Sequence, residues 1–252
     1  MLLLLPPSET KALGGASLTI QQVHLSYGQL NEARDLILDA LINLSSKPDE
    51  AVRVLKLGKK QLDDVARNLD IPNAPTMPAY LRYSGTLYKA IKAADFTAHE
   101  VEVMRKHVLM QSSLFGLISA TDRIPYYRLS AETRLPGLDL KKIWQEHQPA
   151  AWVRLVDGPI IDLRSKSYVD LAPIPEDMDS YWVEVVTDKD GVRRALNHFN
   201  KTSKGELVGA FVRSQETPKT IKELKKLAES IGLGFEVEGK QITLVTDEVL
   251  RA

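Results

Sequence analysis

The chain has 252 residues, 33 Lys plus Arg against 33 Asp plus Glu, 44% hydrophobic residues and no cysteine. It is long enough to bury a large core without a disulfide or structural metal, and its composition is that of an ordered globular protein. Disulfide frameworks, thiolate zinc sites, iron–sulfur clusters and thiol nucleophiles are excluded, and a net charge of zero excludes a uniformly basic, histone-like protein.

Met1–Leu5 is an apolar run halted by Pro6-Pro7. It is too short for a signal segment or a membrane span, so it predicts a buried first strand. No other stretch is long and apolar enough to span a bilayer, and the chain is expected to be soluble and cytoplasmic, with no membrane partner. Leu30, Ala33, Leu36, Ile37, Ala40, Leu41 and Leu44 recur at helical spacing and predict an amphipathic helix over 29–45; Val52, Leu55, Leu62, Val65 and Leu69 predict a second over 49–69. Pro72, Pro75 and Pro78 mark a loop from Asp70 to Tyr80. Thr97 and Glu100 fit a capping box opening a helix to about Leu109.

Residues 151–156, 159–163 and 181–187 read as short strands. A helix is expected over 203–213 and another from Pro218, at its first position, to about Ile231. Gly234–Thr246 predicts a hairpin turning at Glu238-Gly239-Lys240, and Ile231-Gly232 reads as a helix stop. Strand, helices, strands, helices and hairpin in that order predict one mixed α+β domain over residues 1–252, rather than regular βαβ repetition.

Charge is segregated within the neutral total. Residues 155–188 carry eight acids and two bases; residues 189–226 carry ten bases and four acids. The basic block suits phosphate, or else is a solvated helix face neutralised by its acidic neighbour.

Four polar segments are candidate sites. Ser8, Glu9, Thr10 and Lys11 leave the first strand, where a loop can present hydroxyl, carboxylate and ammonium groups from a rigid scaffold. Asp162, Arg164, Ser165, Lys166 and Tyr168 follow another strand: Asp could act as base, Ser as nucleophile, and Tyr as proton donor or stacking platform. Asn200–Gly205, with Lys201 and Lys204, leads into a helix and suits an anion, the alternative being a Ser203 N-cap with solvated lysines. Arg128 and Arg134 could each clamp a phosphate or pair structurally with Asp122 or Glu132. His24, His99, His107, His147 and His198 are scattered, so no metal site is predicted and no cofactor is implied.

Several segments together resemble one family. They are Leu2–Lys11, Tyr83-Ser84-Gly85-Thr86-Leu87-Tyr88, Ser112–Leu117 continuing through Asp122 to Tyr127-Arg128-Leu129, Arg134–Gly137, Trp144, Ile161–Ser165 with Tyr168, and His198–Lys201 with Lys204-Gly205. In this order across nearly the whole chain they resemble the peroxide stress protein YaaA family. The resemblance implies a mixed α/β fold with a positively charged slot, binding of double-stranded DNA, and a role in limiting peroxide damage, partly by keeping free iron low. Carried onto matching positions, it points to Pro7, Thr10, Gly85, Tyr88, Ser112, Gly116, Asp122, Tyr127, Arg128, Arg134, Ser165, Tyr168, Lys201, Lys204 and Gly205. The family often has Lys where Glu9 stands, with Lys11 two residues on, an acid where Ser167 stands, and a basic residue where the helix here has Gly209 and Ala210.

Two functions follow as expectations. In the first, Lys201, Lys204 and Arg213, aided by Arg193 and Arg194, contact duplex DNA without sequence preference. In the second, the loop of Ser8, Glu9 and Lys11 meets Ser165, Tyr168 and Lys201 in a cleft that acts on a nucleobase or nucleotide, with Glu9 or Asp162 as base.

Overall fold

The computed structural model describes residues 1–152, 158–189, 192–195 and 199–246. In chain order the elements are β1 (Leu2–Leu5), α1 (Asn31–Ser45), α2 (Pro48–Val54), α3 (Asp63–Leu69), β2 (Met77–Pro78), α4 (Ala79–Arg82), α5 (Thr86–Ile91) and α6 (Ala98–His107). Then come β3 (Val108–Ser112), β4 (Gly116–Ser119), β5 (Arg123–Ile124), α7 (Leu140–His147), α8 (Pro149–Trp152), β6 (Ile160–Asp162) and α9 (Lys166–Leu171). The last are β7 (Ser180–Lys189), β8 (Val192–Ala195), α10 (Phe199–Arg213), α11 (Ile221–Ser230), β9 (Gly234–Glu238) and β10 (Gln241–Thr246).

One sheet runs in the order β4-β3-β1-β6-β7-β10-β9, with β8 also paired to β7. The four pairings along β3-β1-β6-β7-β10 are parallel, and antiparallel β4, β8 and β9 extend or flank them. The fold is therefore mixed α/β, with its helices in runs rather than one per crossover. β1 sits between β3 and β6, which explains why all four of its leucines are buried: a strand covered on both faces reads as a continuous apolar run. Because β1, β3 and β6 run the same way, the loops that leave them open on one edge, where ligands of parallel sheets bind.

Most predicted elements appear, with shifted ends. The Thr97–Glu100 box is formed, and its helix stops at His107 because Val108 already pairs with Leu3. The expected helix over 49–69 is broken: Lys56 turns left-handed at φ 52° and a short 3-10 turn at Lys59–Gln61 separates α2 from α3. Gly58, a poor helix former, heads that turn. Ala151 and Trp152 close a short helix opened by Pro149 instead of starting a strand, and residues 153–157 lie outside the described set. α10 begins at Phe199, so Ser203 is buried inside it rather than capping it. α11 starts at Ile221, because Thr220 and Glu223 form the cap and Pro218 lies ahead of it. The helix stop and hairpin stand where expected, with Gly232 and Gly239 in the left-handed region that both turns require.

α5 and α10 pack so closely that a Cβ at Gly205 would strike the Leu87 carbonyl and come within 2.7 Å of Ala90 Cβ. Gly205→Ala should therefore push two helices apart and cost about 1–3 kcal/mol, seen as a lowered midpoint in chemical denaturation. An unchanged midpoint would show that the contact gives way freely.

Candidate functional site

The loop after β1, the start of α5, the 130–132 segment, the head of α9 and the first turn of α10 enclose a cleft of about 440 Å³. Its lining includes Ser8, Glu9 and Thr10; Gly85 and Tyr88; Ser130 and Glu132; and Ser165, Tyr168 and Lys201. The first loop is held stiffly. Tyr88 Oη donates to the Pro6 carbonyl at 2.6 Å, and the buried Arg82 guanidinium donates to the carbonyls of Ala12, Gly14, Pro75 and Ile124. A side chain at Gly85 would run into Ser8, so the absence of a Cβ shapes that wall. Ser165 precedes α9 and its Oγ lies 3.1 Å from Ser167 Oγ. Burial pushes the Tyr168 phenol up, which keeps it a proton-bearing donor at neutral pH.

Behind the cleft lies a hydroxyl chain. Tyr83 Oη is 2.9 Å from Tyr127 Oη, which is 2.8 Å from Ser112 Oγ; that oxygen also accepts from the amides of Leu114 and Phe115. The buried Lys11 ammonium sits 4.2 Å from the Tyr127 ring centroid and 5.6 Å from that of Tyr83. Burial, with the neighbouring Arg128 charge, lowers the Lys11 amine to about 7, while Glu9 and Asp64 pull the other way. Arg128 meets Glu9 at 3.0 Å, and Asn68 grips the Arg128 backbone at both N–H and carbonyl.

A family model described as peroxide stress protein YaaA matches residues 1–239, a span that contains every cleft residue. The chain belongs to the peroxide stress protein YaaA family. Among similar proteins, a UPF0246 protein of Corynebacterium efficiens is 39% identical over 250 residues, covering 97% of this chain and 98% of its own length. A UPF0246 protein of Corynebacterium glutamicum strain R is 38% identical over 241 residues, covering 94% and 95%. One from Streptomyces coelicolor is 32% identical over 243 residues, covering 95% and 93%. Membership supports a role in peroxide stress, and with no cysteine in the chain that role does not run through its own thiol chemistry.

The remaining predicted site residues of this YaaA-family chain fall elsewhere. Asp162 is not free to act as the expected general base: it is buried, and both of its oxygens accept from the fully buried Arg164 guanidinium at 2.8 and 2.7 Å. Lys204 is not the phosphate contact expected: it is buried and donates to the Leu163 carbonyl at 3.1 Å, and burial lowers it to about 8. Arg213 donates to the carbonyls of Ile91, Lys92 and Gly209 and lies over Phe96, closing the end of α5. Arg193 is paired with Glu236 and Asp188. Arg134 is exposed and outside the cleft lining; the Arg194 side chain and His198 lie outside the described residues. The candidate DNA-binding bases are thus not one row: among the described residues Lys201 lines the cleft, and Arg128 stands behind it, against Glu9.

Ser130 lines the cleft from outside the candidate segments, and Glu132, expected only as a structural partner of the two arginines, lines it too; a Ser130–Thr133 hydroxyl contact at 3.0 Å shapes that turn. Among the described residues, no cluster of three or more His, Asp or Glu is assembled that could hold a metal. No helix among them is long and apolar enough to cross a membrane.

Proposed function

We propose that this peroxide stress protein binds and acts on a nucleobase or nucleotide in the cleft at the sheet edge. The observation that carries this reading is the meeting of Ser8 and Glu9 with Ser165, Tyr168 and Lys201 in one cavity of about 440 Å³. That volume is of ligand-site size, and the cavity mixes apolar wall with a few convergent polar groups. Tyr168 supplies a protonated donor, Lys201 an ammonium for phosphate, and Glu9 the carboxylate suited to a general base. The protein would work in the cytoplasm.

Duplex DNA binding, with an indirect limiting effect on free iron, is the second reading. It is favoured by the exposed ammonium groups of Lys201, on the cleft wall, and Lys166, beside Ser165 with its Nζ 5.5 Å from the Trp182 ring centroid. Double-stranded DNA would then lie across the cleft mouth, held by phosphate contacts.

One titration series tests both readings. Nucleoside monophosphates should bind in calorimetry, and Lys201→Ala should weaken them about tenfold while leaving free nucleobase binding unchanged. Failure of every nucleobase, nucleoside and nucleotide to bind would overturn the first reading. If DNA is the partner, affinity should fall steeply between low and moderate salt, and Lys201→Ala should reduce that salt slope by about one. Salt-independent binding would overturn the second reading.

A further inference from the structure

The ion pair between Arg128 and Glu9 is unusually lopsided. The Arg128 side chain is only 10% exposed, while the Glu9 side chain is 64% exposed and lines the cleft. The Arg128 backbone is clamped, because buried Asn68 donates to its carbonyl at 3.0 Å and accepts from its amide at 2.7 Å, and its side chain is hemmed in by burial. Lys11 lies close enough to Arg128 for the two like charges to oppose each other. Its close neighbours among the described residues are the rings of Tyr127 and Tyr83 rather than a carboxylate. Asp64, the other acid that Lys11 senses, is already engaged by Arg67 at 2.7 Å and by Tyr126 Oη at 2.9 Å. Arg82, also nearby, spends its donors on carbonyls. Of the two carboxylates in the cleft lining, Glu9 and Glu132, Glu9 is the one paired with the positive charge behind the cleft, and it is largely hydrated.

Swinging Glu9 into solvent restores the full hydration of its carboxylate. What the move costs is the nearly buried guanidinium it leaves unpaired, a cost that an incoming oxyanion removes. The nearly buried guanidinium left behind is a site for a second oxyanion, since Arg presents a planar fork that matches carboxylate or phosphate oxygens. We infer that Arg128 is an oxyanion subsite of the cleft, that Glu9 covers it, and that the ligand's phosphate displaces Glu9 to bind there. The inference rests on the nucleotide reading, which it extends by giving the phosphate a guanidinium partner in addition to Lys201. It also gives Glu9 two positions: on Arg128, and released toward the ligand as a free carboxylate.

The test is calorimetric titration of the full chain with inorganic phosphate and with AMP. Glu9→Gln removes the internal competitor at an exposed position, and should tighten both ligands about tenfold. Arg128→Lys keeps the charge but loses the fork, and should weaken both by tenfold or more in the wild-type and Glu9→Gln backgrounds alike. A merely structural ion pair would lower the melting temperature of Glu9→Gln without tightening phosphate. Unchanged or weaker phosphate binding by Glu9→Gln overturns the inference, whether or not Arg128→Lys folds. The two readings also fail separately. Phosphate that follows the expected pattern while AMP gains nothing over phosphate would sink the nucleotide reading and leave the subsite standing. AMP that binds with an affinity indifferent to both substitutions would sink the subsite and leave the nucleotide reading standing.

Discussion

Replacing Asp162 with alanine should destabilise the protein by about 3–5 kcal/mol, the cost of leaving a buried charge without its partner. Arg164 has a fully buried side chain, and Asp162 takes its Nε and Nη2 while also accepting from its backbone amide at 3.1 Å. Without the carboxylate the guanidinium keeps only the carbonyls of Tyr168 and Ala172, at 3.2 and 2.7 Å. Two carbonyl dipoles do not neutralise a cation that solvent cannot reach. For a chain of this length the loss corresponds to a melting temperature lower by roughly 10 °C or more. The effect should also reach the cleft, because Arg164 ties the Tyr168 carbonyl and the C-terminal end of α9 to the end of β6, and Tyr168 lines the cleft. Chemical denaturation with the Asp162→Asn and Asp162→Ala variants measures it. A loss below about 1 kcal/mol would mean that water or a rearranged partner takes the charge, and the pair would then not be what positions Tyr168.

That pair shows what was legible in the sequence and what was not. Asp162 and Arg164 are two apart at a strand end, a spacing that puts both side chains on one face. Read as loop residues they look like free functional groups; read as strand residues they find each other. The Leu2–Leu5 strand, the Thr97–Glu100 box and the 234–246 hairpin were legible because local chemistry decides each of them. The meeting of Ser8 and Glu9 with Ser165 and Tyr168 was expected as two polar loops leaving strands. Their convergence follows only once β1 and β6 are known to be parallel neighbours.

Lys204 and Arg213 escape a reading of the sequence for a related reason. A charge row on a helix is usually a solvated face, yet α10 is buried through Ser203, Lys204, Gly205, Leu207, Val208 and Gly209, so little of its circumference meets water. Periodicity cannot distinguish such a helix from a surface one when its inner face includes a lysine. The Asn68–Arg128 clamp joins residues 60 apart and leaves no local trace at all. What fixes the cleft's cations is thus mostly tertiary, and what fixes its polar rim is mostly local.

Lys11 is the residue for which pH should reveal most. Replacing it with methionine should make the protein more stable at pH 6 and remove much of its stability gain between neutral and alkaline pH. An unfolded lysine titrates near 10.5, whereas burial brings the folded one to about 7. Between those values the unfolded chain holds a proton that the folded chain has released, so stability rises with pH across about 7 to 10.5. Below 7 both states are charged and the burial penalty is felt in full. At 1.36 kcal/mol per pKa unit the penalty is a few kcal/mol, and Met also forfeits a cation–π contact, so about 1–3 kcal/mol should remain as a gain at pH 6. Lys204, lowered to about 8 by burial, adds a slope of the same sign but is present in both proteins, so the difference between them isolates Lys11. Denaturation midpoints across pH 6–10 measure this, and parallel curves for the two proteins would show that Lys11 stays charged throughout. If the curves converge toward alkaline pH as expected, Lys11 above pH 7 is a neutral amine with a free lone pair. It would lie against Tyr127, one hydroxyl chain away from Ser112 and one ion pair behind the cleft. A neutral amine in such a place can accept a proton or attack a carbonyl, which a solvated lysine at that pH does not do. A nitrogen chemical-shift titration of the buried Lys11 amine should then show a midpoint near 7 in the wild type, and that resonance should vanish in Lys11→Met.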